Sequence, residues 1–289
     1  GQPMEEKVRD LAFEKHTYKH TTIGFIADVK AMPGYYAYSR QFFDRFYRPE
    51  NVVVLVVGDV QPEKVFALAK QDYGDWKTGY KEVKITPEPT QPKRQEAHID
   101  WPNPGRPQMV VGYHIPAFST ATVDTAALNI LADLLFSESA PLYQDLVVQK
   151  QWVDSLQGSS DDHRDAYLFE MNAQVKSEDL VPKVKQTIDQ YVDQLKKQPV
   201  DRKRLERVKS HLRYAFAVSL DSPGAIAFQA ARAIALTGDV HTLSRIYEEY
   251  QKVTPEDIQR VARQTFRPEN ETLVTLSHPE SAQPAKGGR

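Results

Sequence analysis

Phe46-Tyr47-Arg48-Pro49-Glu50-Asn51 returns near the other end of the chain as Thr265-Phe266-Arg267-Pro268-Glu269-Asn270. Each copy is followed by a run of β-forming residues, Val52 to Val57 in the first and Glu271 to Leu276 in the second. Self-similarity within a chain is typical of duplicated structural units, although four consecutive identities can also arise by chance. The repeat predicts two related domains, each closed by a helix, a turn and a strand.

A proline lies near the start of the helix that we predict in each copy. Ala31-Met32-Pro33 leads into a helix that ends at Tyr47, and Val253 to Asp257 opens a helix that ends near Phe266. Proline costs little there, because the first amides of a helix have no partner within the helix. In the second copy Thr254 can cap the helix.

The position of the two copies predicts domains of unequal length. The first domain would extend over residues 1–85 and the second over residues 98–280, so the first is expected to be truncated. Between them lies a linker, residues 86–97, whose closely spaced prolines favour an extended backbone. Residues 281–289 are expected to form a frayed tail. We therefore expect the chain to be a fragment of a longer protein.

The second domain begins with segments typical of strands and continues with segments typical of helices. The predicted elements are a buried strand from Met109 to Ile115, an amphipathic helix from Asp124 to Phe136, a second helix from Pro141 to Lys150, a hairpin of 152–159 with 167–175, and helices from Glu178 to Gln264. With a late strand after residue 270, this order predicts an α+β fold whose largely antiparallel sheet is covered by helices.

Composition excludes several classes of function. With 37 Lys and Arg against 39 Asp and Glu, the net charge of −2 supplies no global field for nucleic acid or a membrane surface. The chain has no cysteine, so disulfides, thiol nucleophiles and Cys-ligated zinc are excluded. No apolar run approaches the ~20 residues that span a bilayer, so we expect no membrane span. Any targeting peptide would lie upstream of Gly1 or have been removed.

Three segments carry a family resemblance in the same order as in that family. They are Ala12 to Gly24, with Phe13, His16, Tyr18 and His20, then Phe42 to Asn51, and then Val54 to Val60. They resemble the AF..H.Y.H..IG, F....Y.P.N and VVGD segments of the insulinase-like (pitrilysin-type, M16) zinc metallopeptidases, in the later part of the catalytic domain. Pro141-Leu142-Tyr143 and Val253 to Asp257 resemble the second domain of that family. The resemblance implies the insulinase-like fold with two duplicated domains.

In that family an H-x-x-E-H motif supplies two zinc ligands and a general base, and a later Glu is the third ligand. The zinc polarises the scissile carbonyl and activates a water molecule. No histidine of this chain begins such a motif, and the third ligand of the family lies upstream of the segment that matches Ala12 to Gly24. The resemblance therefore implies no catalytic residue and no metal ligand here, zinc in the parent protein only, and no hydrolysis by this chain alone.

Family subunits that complete the substrate site carry an Arg, and a Tyr seven residues later, after the segment that matches Pro141 to Tyr143. In this chain those positions fall near Val147 and Asp154, and neither residue can play that role. The resemblance thus implies the C-terminal portion of a zinc-bearing subunit that needs a homologous partner with the Arg/Tyr pair.

The parent is expected to be a zinc endopeptidase that takes unfolded peptides into a chamber, where substrate can add as a strand to a sheet edge. The second domain would form the chamber wall and contact the partner. The alternative is a non-catalytic scaffold or assembly subunit of the same fold. Bacterial relatives are often periplasmic, so we expect the periplasm or cell envelope, with the cytoplasm as the alternative.

Three clusters of polar residues invite other interpretations. His16 and His20 have a metal-site spacing, but their threonine neighbours disfavour a helix, and we expect a loop that packs Tyr18 and Ile23. Asp161 to Asp165 falls where the predicted hairpin turns, and turn chemistry explains its aspartates. The basic run in residues 202–213 surrounds an amphipathic helix and is expected to be a solvated face rather than a nucleic-acid site.

Overall fold

The computed structural model describes residues 2–279, so the predicted tail at residues 281–289 lies outside the described residues. Its helices are α1 Gln2–Ala12, α2 Ile26–Ala31, α3 Tyr36–Phe46, α4 Pro62–Tyr73, α5 Asp124–Phe136, α6 Pro141–Tyr143, α7 Val181–Lys197, α8 Arg202–Ser219, α9 Pro223–Thr237, α10 Thr242–Lys252 and α11 Pro255–Thr265. Its strands are β1 Gln95–Asp100, β2 Gln108–Ile115, β3 Val153–Ser160, β4 Tyr167–Val175 and β5 Glu271–Ser277.

The five strands form one sheet in the order β1-β5-β2-β4-β3. The β1–β5 pair is parallel, and the β5–β2, β2–β4 and β4–β3 pairs are antiparallel. This mostly antiparallel sheet with many helices confirms the predicted α+β fold. The late strand β5 lies inside the sheet, which explains why it is almost completely buried.

Each face of the sheet packs against a different part of the chain. Helices α5, α7 and α11 cover one face and form the main core with alternate residues of β4, such as Phe169 and Met171. Helix α1 covers the other face, where Met4 and Val8 pack with Leu168 of the same strand. Because successive side chains of a strand point to opposite faces, one strand serves both cores. The helix nearest the start of the chain is thus one layer against the five-stranded sheet.

The predicted elements of residues 108–277 are confirmed. Strand β2, helix α5 and the β3–β4 hairpin lie where the hydrophobic pattern predicts them. The helix predicted from Pro141 is confirmed in extent, although residues 144–149 form a π-helical turn after α6. Thr254 caps α11 in a capping box with Asp257, which confirms the predicted cap.

The helices occupy equivalent positions along the chain in the two copies of the repeat. Helix α11 and the short turn Pro268–Asn270 each lie 219 positions after α3 and the turn Pro49–Asn51. Helix α3 starts at Tyr36 rather than directly at Pro33, because residues 32–34 form a separate 3-10 turn, and it ends before Tyr47 as expected. When the first copy is shifted by the same 219 positions, α2 overlaps part of α10 and α1 overlaps most of α9.

The strand predicted for Val52 to Val57 is wrong. The segment is extended but belongs to no sheet among the described residues, and Val53, Val54 and Val56 are exposed. A β-strand requires a hydrogen-bonded neighbour, which β2 and β1 supply to the second copy. No such neighbour lies beside the first copy in residues 2–279.

Candidate functional site

An aromatic cluster joins the segment after α1 to the turn between β3 and β4. Phe13 is fully buried, and its ring stacks on Tyr167 with centroids 5.9 Å apart. Tyr18 meets Tyr167 edge-on at 5.2 Å, and His163 stacks on the same ring at 3.6 Å. Buried aromatic pairs contribute beyond their burial of apolar area. This cluster therefore fixes α1 and the segment after it on the five-stranded sheet.

Glu88, in the predicted linker, holds the same segment through its backbone. Its carboxylate accepts the N–H groups of Glu14 at 2.7 Å, Lys15 at 2.9 Å and His16 at 2.8 Å. Burial alone would raise the pKa of Glu88, but these donors outweigh it and hold the pKa below its ordinary value. The carboxylate therefore stays ionised, and it holds residues 14–16 in place through their backbone N–H groups.

Gln91 ties the same linker to the sheet. Its side-chain amide donates to the carbonyls of Glu269 at 3.0 Å and Glu271 at 2.9 Å, and its oxygen accepts from the hydroxyl of Thr272 at 3.1 Å. Every donor and acceptor of a buried amide needs a partner, and here the backbone around the start of β5 supplies most of them. Specific hydrogen bonds from Gln91 therefore attach the predicted linker to the sheet.

The two histidines with metal-site spacing do not form a pair. His16 is buried, and its Nδ1 accepts the N–H of Tyr18 at 3.0 Å, whereas His20 is exposed and its Nδ1 lies 3.1 Å from the carbonyl of Thr21. Tyr18 packs as predicted, but Ile23 is 60% exposed, so its predicted packing is wrong. Among residues 2–279 no group of three or more His, Asp or Glu could hold a metal ion.

The acidic cluster lies in the turn between β3 and β4, as predicted. The carbonyl of His163 accepts the N–H of Phe118 at 2.9 Å, which anchors the turn. Asp162 faces inward, where its carboxylate lies 4.0 Å from Arg232. Burial raises the pKa of Asp162, and the Arg232 charge together with a hydrogen bond from the Asn129 side chain only partly opposes this. The turn thus carries a carboxylate whose charge is incompletely compensated.

A second polar group is buried at the start of β5. The Glu271 carboxylate receives Arg94 Nε at 2.7 Å, Lys185 Nζ at 2.8 Å and the Tyr113 hydroxyl at 2.5 Å. Burial would raise the pKa of Glu271, but the hydrogen bonds from Lys185 and Tyr113 hold it below its ordinary value. Lys185 also pairs with Asp189 at 2.7 Å. Because its oxygens are all engaged, this carboxylate is a structural group rather than a free base.

An open cavity of about 470 Å³ adjoins this network between α7 and the β1–β5 edge. Met109, Val181 and Leu273 form its apolar lining, and Arg94 and His98 lie at its rim. His98 Nδ1 is 2.8 Å from the hydroxyl of Thr275, so its ring is fixed against the sheet. The cavity combines apolar walls with polar groups that already have partners.

The two positions that correspond to the family's Arg/Tyr pair have other contacts. Val147 lies in the π-helical turn and packs against the main core. Asp154 accepts an ion pair from Arg106 Nε at 3.1 Å, and Lys176 Nζ lies 3.9 Å from its other oxygen. Neither side chain presents the donors that the pair would need.

The basic run of α8 is only partly a solvated face. Lys209 is buried and donates to the carbonyl of Gln251 at 3.2 Å and to Glu206 at 2.9 Å. Arg204 donates to the carbonyl of Leu134 at 2.6 Å. These two cations fix α8 against α10 and α5, because buried backbone carbonyls need donors. The expectation of a uniformly solvated face is therefore corrected at these positions.

Glu170 is a largely buried carboxyl on the face of β4 that α1 covers. Burial raises its pKa to about 7. The charge of Arg9 in α1 opposes this shift, whereas Asp161 and Glu5 add to it. Its neighbour on the same strand face is Leu168, which packs under α1. Glu170 therefore takes up a proton near neutral pH beneath a helix that the aromatic cluster holds in place.

Replacement of Glu170 by Gln should stabilise the chain at pH 8 by about 2 kcal/mol and change little at pH 4. Below the unfolded pKa of 4.5 both states bind the proton, so the acid carries no penalty. As pH rises from there through about 7, the unfolded chain ionises more readily and the native state loses relative stability. Urea unfolding at both pH values measures the difference. The exposed Glu248→Gln is the control, and equal responses of the two variants would contradict the prediction.

Sequence patterns did not reveal Glu88, Glu170 and Glu271 as structural acids. Glu271 has one visible signal, because it occupies the position of Val52 in the first copy of the repeat, where a charge replaces a β-forming residue. Glu170 stands among alternating apolar residues and reads as an ordinary exposed strand position. Glu88 lies between prolines, where nothing in the local pattern indicates its distant partners.

Comparison with known proteins agrees with this architecture. A family model described as the peptidase M16 inactive domain matches residues 36–212, from the start of α3 into α8. The zinc protease PqqE of Helicobacter pylori is 27% identical over 282 residues, which cover 92% of this chain and 60% of PqqE. This chain thus spans less than two thirds of the length of that relative. The resemblance to the insulinase-like metallopeptidases is confirmed.

Solved structures share the fold. A protease from Helicobacter pylori superposes with a TM-score of 0.87 at 25% identity, over 95% of this chain and 66% of that protein. The periplasmic protease PqqL from Escherichia coli gives a TM-score of 0.70 at 12% identity, over 96% of this chain and 30% of PqqL, and at that identity the likeness concerns the fold alone. With a family model matched over residues 36–212, this chain belongs to the peptidase M16 inactive-domain family.

Proposed function

We propose that this chain is the C-terminal portion of a zinc-dependent endopeptidase that acts on unfolded peptides, and that it serves there as chamber wall and partner interface. The observation that carries the proposal is the match to an inactive M16 domain together with the likeness to a zinc protease. The resemblance places the zinc ligands and the general base outside this chain, so the proposal assigns no catalytic step to its residues. The metal and the chemistry would belong to the parent protein.

The first domain would comprise residues 1–85, the linker residues 86–97, the second domain residues 98–280 and the tail residues 281–289. Apolar side chains exposed on the first of these support the idea that it is incomplete by itself. They include Tyr36, Phe43, Val54, Phe66 and Leu68, each more than two fifths exposed. Large contiguous apolar surfaces are typical of interfaces or of cores that lack a layer.

The internal repeat suggests how the two domains interlock. Helix α1, from the first copy, lies on the sheet of the second. Its counterpart α9 packs against α10 but leaves Phe228 69% exposed. We infer that α9 covers a sheet of the first domain in the same way, with Val52 to Val57 as the strand equivalent to β5. The two domains would then exchange one helix each.

A homologous partner subunit with the Arg/Tyr pair is the proposed second half of the chamber. The contacts of Val147 and Asp154 are consistent with this, because both positions serve packing or local ion pairs. The periplasm or cell envelope is the proposed compartment, with the cytoplasm as the alternative. PqqL, which shares the fold, is itself a periplasmic protease. Among residues 2–279, no helix is both long and apolar enough to cross a membrane.

The alternative is a non-catalytic scaffold or assembly subunit of the same fold. Its support is that the matching family model describes an inactive domain. The two proposals differ in the parent protein, since the peptidase requires an H-x-x-E-H motif and a later Glu, whereas a scaffold does not.

Cleavage of an unstructured peptide by the full-length product of the same gene tests the proposal. We expect hydrolysis that a chelator abolishes and that added zinc restores, because the activated water depends on the metal. The chain of residues 1–289 is the matched control and is expected to show no hydrolysis. The proposed partner is added in a parallel assay if the full-length subunit alone is inactive. Cleavage that persists in the chelator would contradict the dependence on zinc, and absence of cleavage in both assays would contradict the proposal and leave the scaffold.

A further inference from the structure

Helices α8, α9 and α10 enclose a cavity of about 300 Å³ beside the acidic turn between β3 and β4. Helix α9 packs mainly against α10, and the cavity lies between it and α8. The space can hold a single aromatic ring with its substituents, because an apolar cavity of about 150 Å³ already suffices for benzene. Ala215 and Arg232, which are exposed, lie at its mouth. The cavity is therefore within reach of a small molecule in solution.

The walls of this cavity are mostly aromatic and aliphatic. The Phe216 ring lies against the Tyr247 ring with centroids 3.9 Å apart, and Tyr247 meets Tyr250 edge-on at 5.6 Å. Phe118 contributes a fourth ring from the segment after β2. The aliphatic part of the lining consists of Leu212, Leu236, Leu243 and Ile246. Because aromatic rings attract one another in offset-stacked or edge-on contacts, these walls favour a planar aromatic guest.

The charged residues of the lining, Asp162 and Arg232, have opposite signs. The Asp162 carboxylate lies 4.0 Å from the Arg232 guanidinium, and it also accepts a hydrogen bond from the Asn129 side chain. Asn129 in turn donates to the Tyr250 hydroxyl at 3.0 Å. These four side chains form a network of their own, so the lining carries no net charge that would attract an ion. A neutral guest is therefore favoured.

Two neutral polar groups of the lining have no hydrogen-bond partner within residues 2–279. They are the Tyr247 hydroxyl and the Gln229 side-chain amide, and both side chains are half-buried. Burial raises the pKa of Tyr247, so its hydroxyl keeps its proton at neutral pH and can donate as well as accept a hydrogen bond. The Gln229 amide has the same two capacities. A few polar groups in a mostly apolar site orient a bound molecule, and these two match a hydroxyl or an amide.

We propose that the cavity between α8, α9 and α10 binds a small neutral aromatic molecule with one hydroxyl or amide group. Its ring lies against Phe118 and Phe216, and its polar group meets Tyr247 or Gln229. Because α9 forms one wall, the bound molecule holds this helix against α8 and α10. Binding requires neither zinc nor hydrolysis, so its failure would leave the proposed function of the parent protein untouched.

Fluorine NMR with 4-fluorophenol tests the proposal on the chain of residues 1–289. We expect saturable binding with a Kd on the order of 1 mM, since so small a molecule makes few contacts. At a ligand concentration about three times the Kd, hydrogen exchange of α9 should slow about fourfold. Ala215→Phe fills the mouth of the cavity and should weaken binding about tenfold. Ala217→Phe, at an exposed position of α8 outside the lining, is the matched control and should leave the Kd unchanged.

A second pair of variants tests the recognition of the polar group. Tyr247→Phe combined with Gln229→Met should weaken 4-fluorophenol about fivefold, and should change the binding of fluorobenzene, which has no hydroxyl, by less than about twofold. Tyr214→Phe combined with Gln251→Met, outside the lining, is the matched control. The proposal would be overturned by the lack of saturable 4-fluorophenol binding to the folded chain or by unchanged exchange of α9. An equal response of the two ligands to the first double variant, or equal losses in a variant and its control, would also overturn it.

Discussion

Replacement of Phe13 by Ala is expected to lower the free energy of unfolding by about 3–5 kcal/mol. The ring is fully buried between the segment after α1 and the sheet, where it contacts Tyr167, Tyr18 and His114. Its loss would leave a cavity and also remove the aromatic contacts that hold α1 on β5 and β2. Urea unfolding, together with hydrogen exchange of α1, measures both effects.

Phe66→Ala is the matched control for this prediction. Phe66 lies in α4 and is 72% exposed, so its truncation should change stability by less than about 0.5 kcal/mol. If the Phe13 variant lost no more stability than the Phe66 variant, or if α1 exchanged no faster, then α1 would not be a layer against the five-stranded sheet.

Replacement of Lys185 by Met is expected to cost about 3 kcal/mol, because it leaves the buried Glu271 carboxylate with one cation fewer. Arg94 at 2.7 Å and the Tyr113 hydroxyl remain, which places the cost at the lower end of values for broken buried pairs. Since the pKa of Glu271 is held below 4.5, this stabilisation is present at neutral pH and is lost as pH falls through the lowered value. Thermal unfolding at pH 7 and at pH 3 measures both the cost and its pH dependence.

Lys183→Met is the control on the same helix. Lys183 is largely exposed and its ammonium lies 3.5 Å from Asp179, a surface pair worth little. The Lys185 variant should be much less stable than this control at pH 7 and closer to it at pH 3. Equal melting temperatures at pH 7 would show that Glu271 does not depend on Lys185.

Hydrophobic periodicity predicted the elements of residues 108–277 because their burial repeats along the chain. The alternation of Phe169, Met171 and Ala173 and the spacing of Val184, Ile188 and Val192 each follow from one face of an element meeting one core. Helices α5 and α11 could be located for the same reason. The α+β fold was therefore accessible from the sequence, while the family resemblance rests on the matched segments Ala12 to Gly24, Phe42 to Asn51 and Val54 to Val60.

Strand pairing was less accessible, as β1 and Val52 to Val57 illustrate. Residues 95–100 are mostly polar and partly overlap the predicted linker, yet they form a strand because β5 lies alongside. Val52 to Val57 has far higher β propensity and forms none among the described residues. Strand formation depends on a neighbour that is remote in sequence, which local propensity does not contain.

The polar clusters were inaccessible for a related reason. Arg94, Tyr113 and Lys185 come from the linker, β2 and α7, and only the folded sheet brings them to Glu271. The sequence around each of these three residues does not distinguish it from an ordinary surface or strand position. The acidic turn was located correctly, but that Asp162 turns inward toward Arg232 depends on where α9 packs.

Zinc content, measured on the purified chain of residues 1–289 and on the full-length product of the same gene, tests the central claim most directly. The account predicts about one tightly bound zinc per full-length chain and essentially none on this chain after dialysis. Stoichiometric zinc on this chain, or none on a correctly folded full-length product, would contradict the account.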